Sequence, residues 1–245
     1  MGDISKTWNE AAQQMDEEAR AALSHPLVLG MGGKLRSGKD TVADYLVHEY
    51  GFVKLGMSDA LNEAMQLINP IVDYQEGSIL RYAALVEIVG YAKAKENPEV
   101  RRLLQKLGTE VGRKIMGENT WVEIARRKIQ NHLDKGTPVV ITGMRFPNEI
   151  RMIHSLGGLS VYVERPSLEI STTQPTERVT AALDAAIHAS ETSLHPEDFN
   201  YEIQNTGTLV DLYAAADHMM AFIRANLAEA RNSPNPSQFW PPYDH

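Results

Sequence analysis

The chain of 245 residues contains no cysteine. Disulfide frameworks, zinc–thiolate sites and cysteine nucleophiles are therefore excluded. Aromatic residues are sparse, at 7%. No apolar run approaches the roughly 20 residues that span a membrane as a helix. The opening Met1-Gly2-Asp3-Ile4-Ser5-Lys6 lacks the apolar stretch of a secretory signal, and Lys6 stands where a myristoylation signal wants Ser or Thr. An excess of positive charge is also missing. The net charge is -8, which argues against broad electrostatic binding to nucleic acid or membranes but leaves room for a local basic pocket. There are no internal repeats. The expectation is a soluble, cytoplasmic protein with no stable nucleic-acid partner and no membrane partner. The sequence does not give the oligomeric state, for which a homodimer is the commonest prior.

What is present points to one large α/β domain with an ordinary apolar content of 43%. Its organising stretch is residues 27–41. A short apolar run, Leu27-Val28-Leu29, leads into a glycine-rich loop and then a helical pattern from Val42. Gly33, four residues, then Gly38-Lys39 is the spacing of a phosphate-binding loop. Such a loop turns backbone N–H groups around an anion, and the following helix adds its positive end. Lys39 can then reach the terminal phosphates. Asp40 stands where Ser or Thr normally touches Mg²⁺, and its hard oxygen suits that ion. Thr41 offers a hydroxyl toward the α-phosphate region.

The rest of the chain alternates strands and helices. Residues 5–23 read as a helix, part of an N-terminal extension over 1–25. Strand patterns fall at 52–55, 137–143, 159–164 and 201–205, with the first in the apolar run that opens at Leu27. Helices are expected at 78–95, 98–116 and 121–133, within a mostly helical block over 56–134 that is longer than a crossover needs. Residues 166–197 read as a polar excursion, a candidate lid. A final helix ends near residue 230, and an irregular tail over 231–245 closes the chain. This alternation implies a parallel, doubly wound sheet.

Two groups of residues stand out beyond the loop. Arg102, Gln105, Thr109 and Arg113 share one helical face, with Glu110 beside them. They could hold a phosphate and a base edge. The spacing alone favours the plainer alternative, a solvated face with i, i+4 pairs. Arg145 follows the carboxyl end of a strand, where ligands bind in open α/β sheets. The alternative is a structural arginine tied to Glu149.

The sequence as a whole resembles the phage-type deoxynucleoside monophosphate kinases of the P-loop nucleoside monophosphate kinase superfamily. The resemblance rests on Gly-Lys-Leu-Arg-Ser-Gly-Lys-Asp-Thr-Val-Ala (33–43), Leu-Gly-Thr-Glu-Val-Gly-Arg (107–113), Trp121, Arg-Phe-Pro-Asn-Glu (145–149), His-Ala-Ser-Glu (188–191) and Asn-Thr-Gly-Thr-Leu (205–209), spread over most of residues 27–225. It implies a three-layer αβα P-loop kinase fold. The five-stranded parallel sheet would run 2-3-1-4-5, with a helical acceptor-binding insertion and a lid. It implies transfer of the γ-phosphoryl of ATP, with Mg²⁺, to a deoxynucleoside 5′-monophosphate. Carried over residue by residue, Gly33, Lys34, Arg36, Ser37, Gly38, Lys39, Asp40 and Thr41 would hold the ATP phosphates, with Asp40 toward the metal. Asn205 to Thr208, Gly207 included, would flank the adenine. Arg102, Gln105, Thr109, Glu110, Arg113, Trp121 and Arg145 would line the acceptor site. Lys39, Arg145, Arg165 and the lid residue Arg178 would stabilise the transferring charge. One departure is Gly143, where relatives often carry an acid two residues before the arginine. A phosphomevalonate-type or modified-nucleotide kinase on the same scaffold is an alternative substrate reading. A nucleotide-binding protein without catalysis is the alternative from another class.

Overall fold

The computed structural model describes residues 27–74, 77–166 and 194–232, with side chains to residue 227. The expected N-terminal helix, most of the candidate lid with Arg178, His188, Ser190 and Glu191, and the tail beyond residue 232 lie outside the described residues. The strands are β1 (Val28–Gly32), β2 (Val53–Gly56), β3 (Ile71–Asp73), β4 (Ile79–Arg81), β5 (Val139–Met144), β6 (Leu159–Glu164) and β7 (Tyr201–Gln204). The helices are α1 (Lys39–Tyr50), α2 (Asp59–Ile68), α3 (Tyr82–Val89), α4 (Tyr91–Ala94), α5 (Pro98–Gln105), α6 (Thr120–Leu133), α7 (Pro147–Ser155) and α8 (Leu209–Asn232). A π-helical segment, Lys106–Met116, continues α5.

Five strands form a parallel sheet in the order β2-β5-β1-β6-β7. The expected order, 2-3-1-4-5, assumes five strands in all. The order reads 2-5-1-6-7 because β3 and β4 intervene in the chain as a separate antiparallel hairpin. β1 is buried along its whole length, as a central strand covered on both faces must be. Its alternating side chains feed two cores. Leu29 and Met31 pack with Val42, Ala43 and Leu46 of α1 and with Leu212, Ala216 and Met219 of α8. Val28 packs on the other face with Val122 and Ile129 of α6 and with Ile150 and Ile153 of α7. A third core, built from Met65, Val72, Tyr82, Leu85, Ala94 and Val100, belongs to α2–α5 and the hairpin.

Two expected helices are reshaped. The stretch 78–95 is β4, α3 and α4, because Gly90, at φ 80°, ends α3. The stretch 98–116 starts as an α-helix, with Pro98 in its first turn and the Asn97 side chain accepting the N–H groups of Glu99 and Val100 at 2.9 and 3.2 Å. It then widens into the π-helical segment. There the Trp121 indole N–H donates to the Gly108 carbonyl at 2.9 Å, taking up an acceptor of the helical ladder.

The start of α7 has a buried cap. The Glu149 carboxylate accepts the backbone N–H groups of Arg145 at 2.6 Å and Phe146 at 3.1 Å. Burial raises its pKa to about 7, against the pull of those two hydrogen bonds and of Arg113 and Arg145. The folded state therefore favours the protonated acid. That stability is complete below the ordinary carboxylate pKa and is lost as pH rises through about 7. Urea unfolding midpoints should show wild type losing ground to Glu149→Gln between roughly pH 4.5 and 7, by at most about 3 kcal/mol, and levelling above that. A difference that does not vary with pH would contradict the assignment.

Candidate active site

The loop between β1 and α1 lies at the carboxyl edge of the sheet. Gly33 has φ 135°, and a Cβ there would sit 2.3 Å from the Val163 carbonyl, so the loop passes directly over β6. Arg36, at φ 63°, takes the left-handed conformation without being glycine. Gly38 caps α1 with no side chain on the first-turn N–H groups. The Ser37 hydroxyl is buried and has no hydrogen-bond partner. An orphaned hydroxyl beside uncapped N–H groups is a donor set that an anionic oxygen would satisfy.

Two cavities meet at Lys39. The larger, about 330 Å³, is lined by Arg36, Gly38, Asp40, Thr41, Arg165, Asn205, Gly207, Thr208 and Leu212 among others. The smaller, about 50 Å³, is lined by Gly33, Gly143, Met144, Arg145 and Tyr162 as well as Lys39. The structure thus brings together the loop residues, Arg165 and the 205–208 turn on one side of Lys39, with Arg145 on the other. Lys34 is exposed, and its carbonyl accepts from Lys39 Nζ at 3.3 Å. Asn205 is partly committed elsewhere, because its side-chain amide donates to the Ser37 carbonyl at 2.8 Å.

Asp40 is held from three directions. Its Oδ1 accepts from the Thr142 hydroxyl at 3.0 Å and lies 3.4 Å from Lys54 Nζ, while Oδ2 is 4.0 Å from Lys39 Nζ. Lys54 also reaches Asp44 at 2.9 Å. Among the described residues no three His, Asp or Glu side chains gather to hold a metal alone. A single carboxylate with neighbouring hydroxyls does fit Mg²⁺, which keeps waters and shares its shell with substrate phosphates. Lys54 and Thr142 carry no sequence motif. The only signal for them is that β5 lies beside β1 and β2 beside β5.

Gly143 has φ 84° and is the extra residue of a bulge, since Met31 pairs with Thr142 but Gly32 with Met144. A bulge residue of this hand favours glycine. The missing acid therefore has a backbone reason.

The acceptor candidates divide. The Arg113 guanidinium lies 4.0 Å over the Phe146 ring, next to Arg145. Trp121 packs against Gly112, where a Cβ would come 2.1 Å from its Nε1. Gln105 and Thr109 are half-buried. Arg102 is paired with Glu99 at 2.5 Å, and Glu110 with Lys114 at 2.9 Å, as a solvated face would have them.

The chain is 30% identical over 196 residues to the uncharacterized protein ORF77 of Ictalurid herpesvirus 1, covering 80% of this chain and 69% of that protein. It is 27% identical to a putative deoxynucleotide monophosphate kinase of Acanthamoeba polyphaga mimivirus, covering 62% and 80%. It is 29% identical to the deoxynucleoside-5′-monophosphate kinase of Escherichia phage T5, covering 43% and 38%. Among solved structures, TT1252 from Thermus thermophilus superposes with a TM-score of 0.47 at 20% identity, covering 82% of this chain and 99% of that one. Residues 57–216 match the family model for deoxynucleotide monophosphate kinases. The chain belongs to the deoxynucleotide monophosphate kinase family.

Proposed function

We propose that the protein transfers the γ-phosphoryl of ATP to a deoxynucleoside 5′-monophosphate, giving the diphosphate. The observation that carries this reading is the position of Lys39 between two cavities, one lined by the loop and Arg165, the other by Arg145. Phosphoryl transfer needs alignment and charge neutralisation more than covalent chemistry. ATP would occupy the larger cavity. Its phosphates would lie against the loop N–H groups, the Ser37 hydroxyl, Thr41 and Arg36, with the adenine toward Gly207, Thr208 and Leu212. Asp40, oriented by Thr142 and Lys54, would hold Mg²⁺. When bound, the ion offsets charge on the β- and γ-oxygens.

The acceptor would approach from the side of Arg145. Arg113, stacked on Phe146, and Trp121, fixed to Gly108, would meet its base and sugar, with Gln105 and Thr109 alongside. Arg102 and Glu110 would act from their ion pairs at the rim. Lys39, Arg145 and Arg165 would share the charge of the transferring group, with Arg178 joining them from the lid. The acceptor is already an anion, so no strong general base is assigned. The family match, and the names of the mimivirus and phage T5 relatives, support a nucleotide acceptor over phosphomevalonate.

Coupled ADP release with Mg-ATP, against a panel of deoxynucleoside and nucleoside monophosphates and phosphomevalonate, tests the reading. Turnover with one or more deoxynucleotides is expected, and Lys39→Ala should reduce it by about 10²–10³-fold. Turnover with phosphomevalonate alone, or ATP binding with no acceptor-stimulated turnover, would contradict it. Gly112→Ala forces the Trp121 ring aside. It should lower kcat/KM for the acceptor by roughly 10- to 100-fold while leaving the KM for ATP unchanged. An equal effect on both substrates would remove Trp121 from the acceptor site.

A further inference from the structure

The start of α7 holds more than its own helix. Phe146 is the N-cap, and Pro147 in the first turn brings no N–H to satisfy. A capping box needs only the bond from the N-cap N–H to the side chain three residues on, here Phe146 to Glu149 at 3.1 Å. The shorter bond, 2.6 Å, comes from one residue further back, the N–H of Arg145, which lies outside the helix. Both N–H groups fall on the same carboxylate oxygen, Oε2. The Glu149 N–H donates in turn to the Phe146 carbonyl at 3.0 Å and closes the turn.

A helix start is ordinarily served by a short polar side chain in contact with water. Here the carboxylate is buried, with 7% of the residue exposed, and burying such a group is costly. The turn it holds carries groups of the acceptor side. Arg145 is exposed beyond it and lines the smaller cavity with Lys39. The Phe146 ring lies under the Arg113 guanidinium at 4.0 Å. The Asn148 amide donates to the Glu118 carbonyl at 3.2 Å and to Asn119 Oδ1 at 2.8 Å, which joins the turn to the start of α6, just before Trp121. Arg145, Arg113 and Trp121 thus take their places from one turn. Two consecutive N–H groups fixed on one buried oxygen set the direction in which residues 145 and 146 leave it.

We propose that Glu149 is a positioning residue for phosphoryl transfer, setting Arg145 directly and Arg113 through the Phe146 ring to receive the acceptor nucleotide. The inference rests on the acceptor reading above and adds to it a residue that touches neither substrate. Because one oxygen takes both N–H groups, the role belongs to that oxygen and not to the charge.

The test compares Glu149→Met, which keeps the volume and removes both oxygens, with Glu149→Gln, which keeps one oxygen and removes the charge. Each is checked by its unfolding midpoint. Glu149→Asp, which draws the carboxylate back by one methylene, replaces the methionine variant if that one unfolds. Glu149→Met should lower kcat/KM for the deoxynucleoside monophosphate roughly 10- to 100-fold, as a small misplacement does, and leave the KM for ATP unchanged. Glu149→Gln should restore most of the loss. An unchanged kcat/KM, an equal effect on both substrates, or a glutamine variant as impaired as the methionine one overturns the proposal. If wild type turns over no deoxynucleotide, the acceptor reading fails by itself. The positioning is then read by hydrogen exchange at the Arg145 and Phe146 amides. Exchange that quickens in Glu149→Met and stays slow in Glu149→Gln upholds it, and equal exchange in all three proteins overturns it.

Discussion

The hydrogen bond from the Asn205 side-chain amide to the Ser37 carbonyl, 2.8 Å long and buried, ties the end of the last strand to the loop that leaves the first. Its own backbone N–H bonds the Glu164 carbonyl at 2.7 Å, so the residue bridges β6, β7 and the loop. A loop that must turn its N–H groups inward spends its own hydrogen-bonding capacity on a ligand and needs support from outside. Asn205 supplies it on one side. On the other, Gly33 lies against the Val163 carbonyl, too close for any side chain. The sheet order makes both contacts possible, because β6 lies between β1 and β7.

The same edge carries the charges. Lys39 lies between two cavities, Asp40 is oriented by Thr142 and Lys54, and the Arg145 backbone is pinned by the buried Glu149 cap. Each group is held by a neighbour whose own position comes from a strand end or helix start. Pre-positioned charge of this kind loses little to reorganisation when a phosphoryl group moves. The helices α2–α5 pack on a core of their own, and the Tyr91 hydroxyl ties them to the Ser58 carbonyl just beyond β2.

Much of this was legible in the sequence. Buried strands announce themselves as apolar runs: β1 lies in the run that opens at Leu27, and β5 and β6 fall within a residue or two of their expected bounds. The loop was legible because glycine spacing encodes backbone shape directly. The hairpin β3–β4 was not, since three-residue strands are too short to show alternation. The π-helical segment was hidden as well, because its apolar positions fit an α-helix and the Trp121 indole that bonds its Gly108 carbonyl comes from another helix. Of the polar stripe, Arg113 reaches the Arg145 loop, whereas Arg102 and Glu110 are paired along their own helix. Lys54 and Thr142 are single residues without a motif. Only the arrangement of β2 beside β5 gives them meaning.

The central claim is that this arrangement moves a phosphoryl group from one nucleotide to another rather than to water or nowhere. Tracing the label from ATP carrying a labelled γ-phosphate, in the presence of the deoxynucleoside monophosphates and Mg²⁺, tests it most directly. The account predicts label in a deoxynucleoside diphosphate, in step with ADP. Label recovered only as inorganic phosphate, or retained in ATP by a folded protein that binds it, would contradict the account.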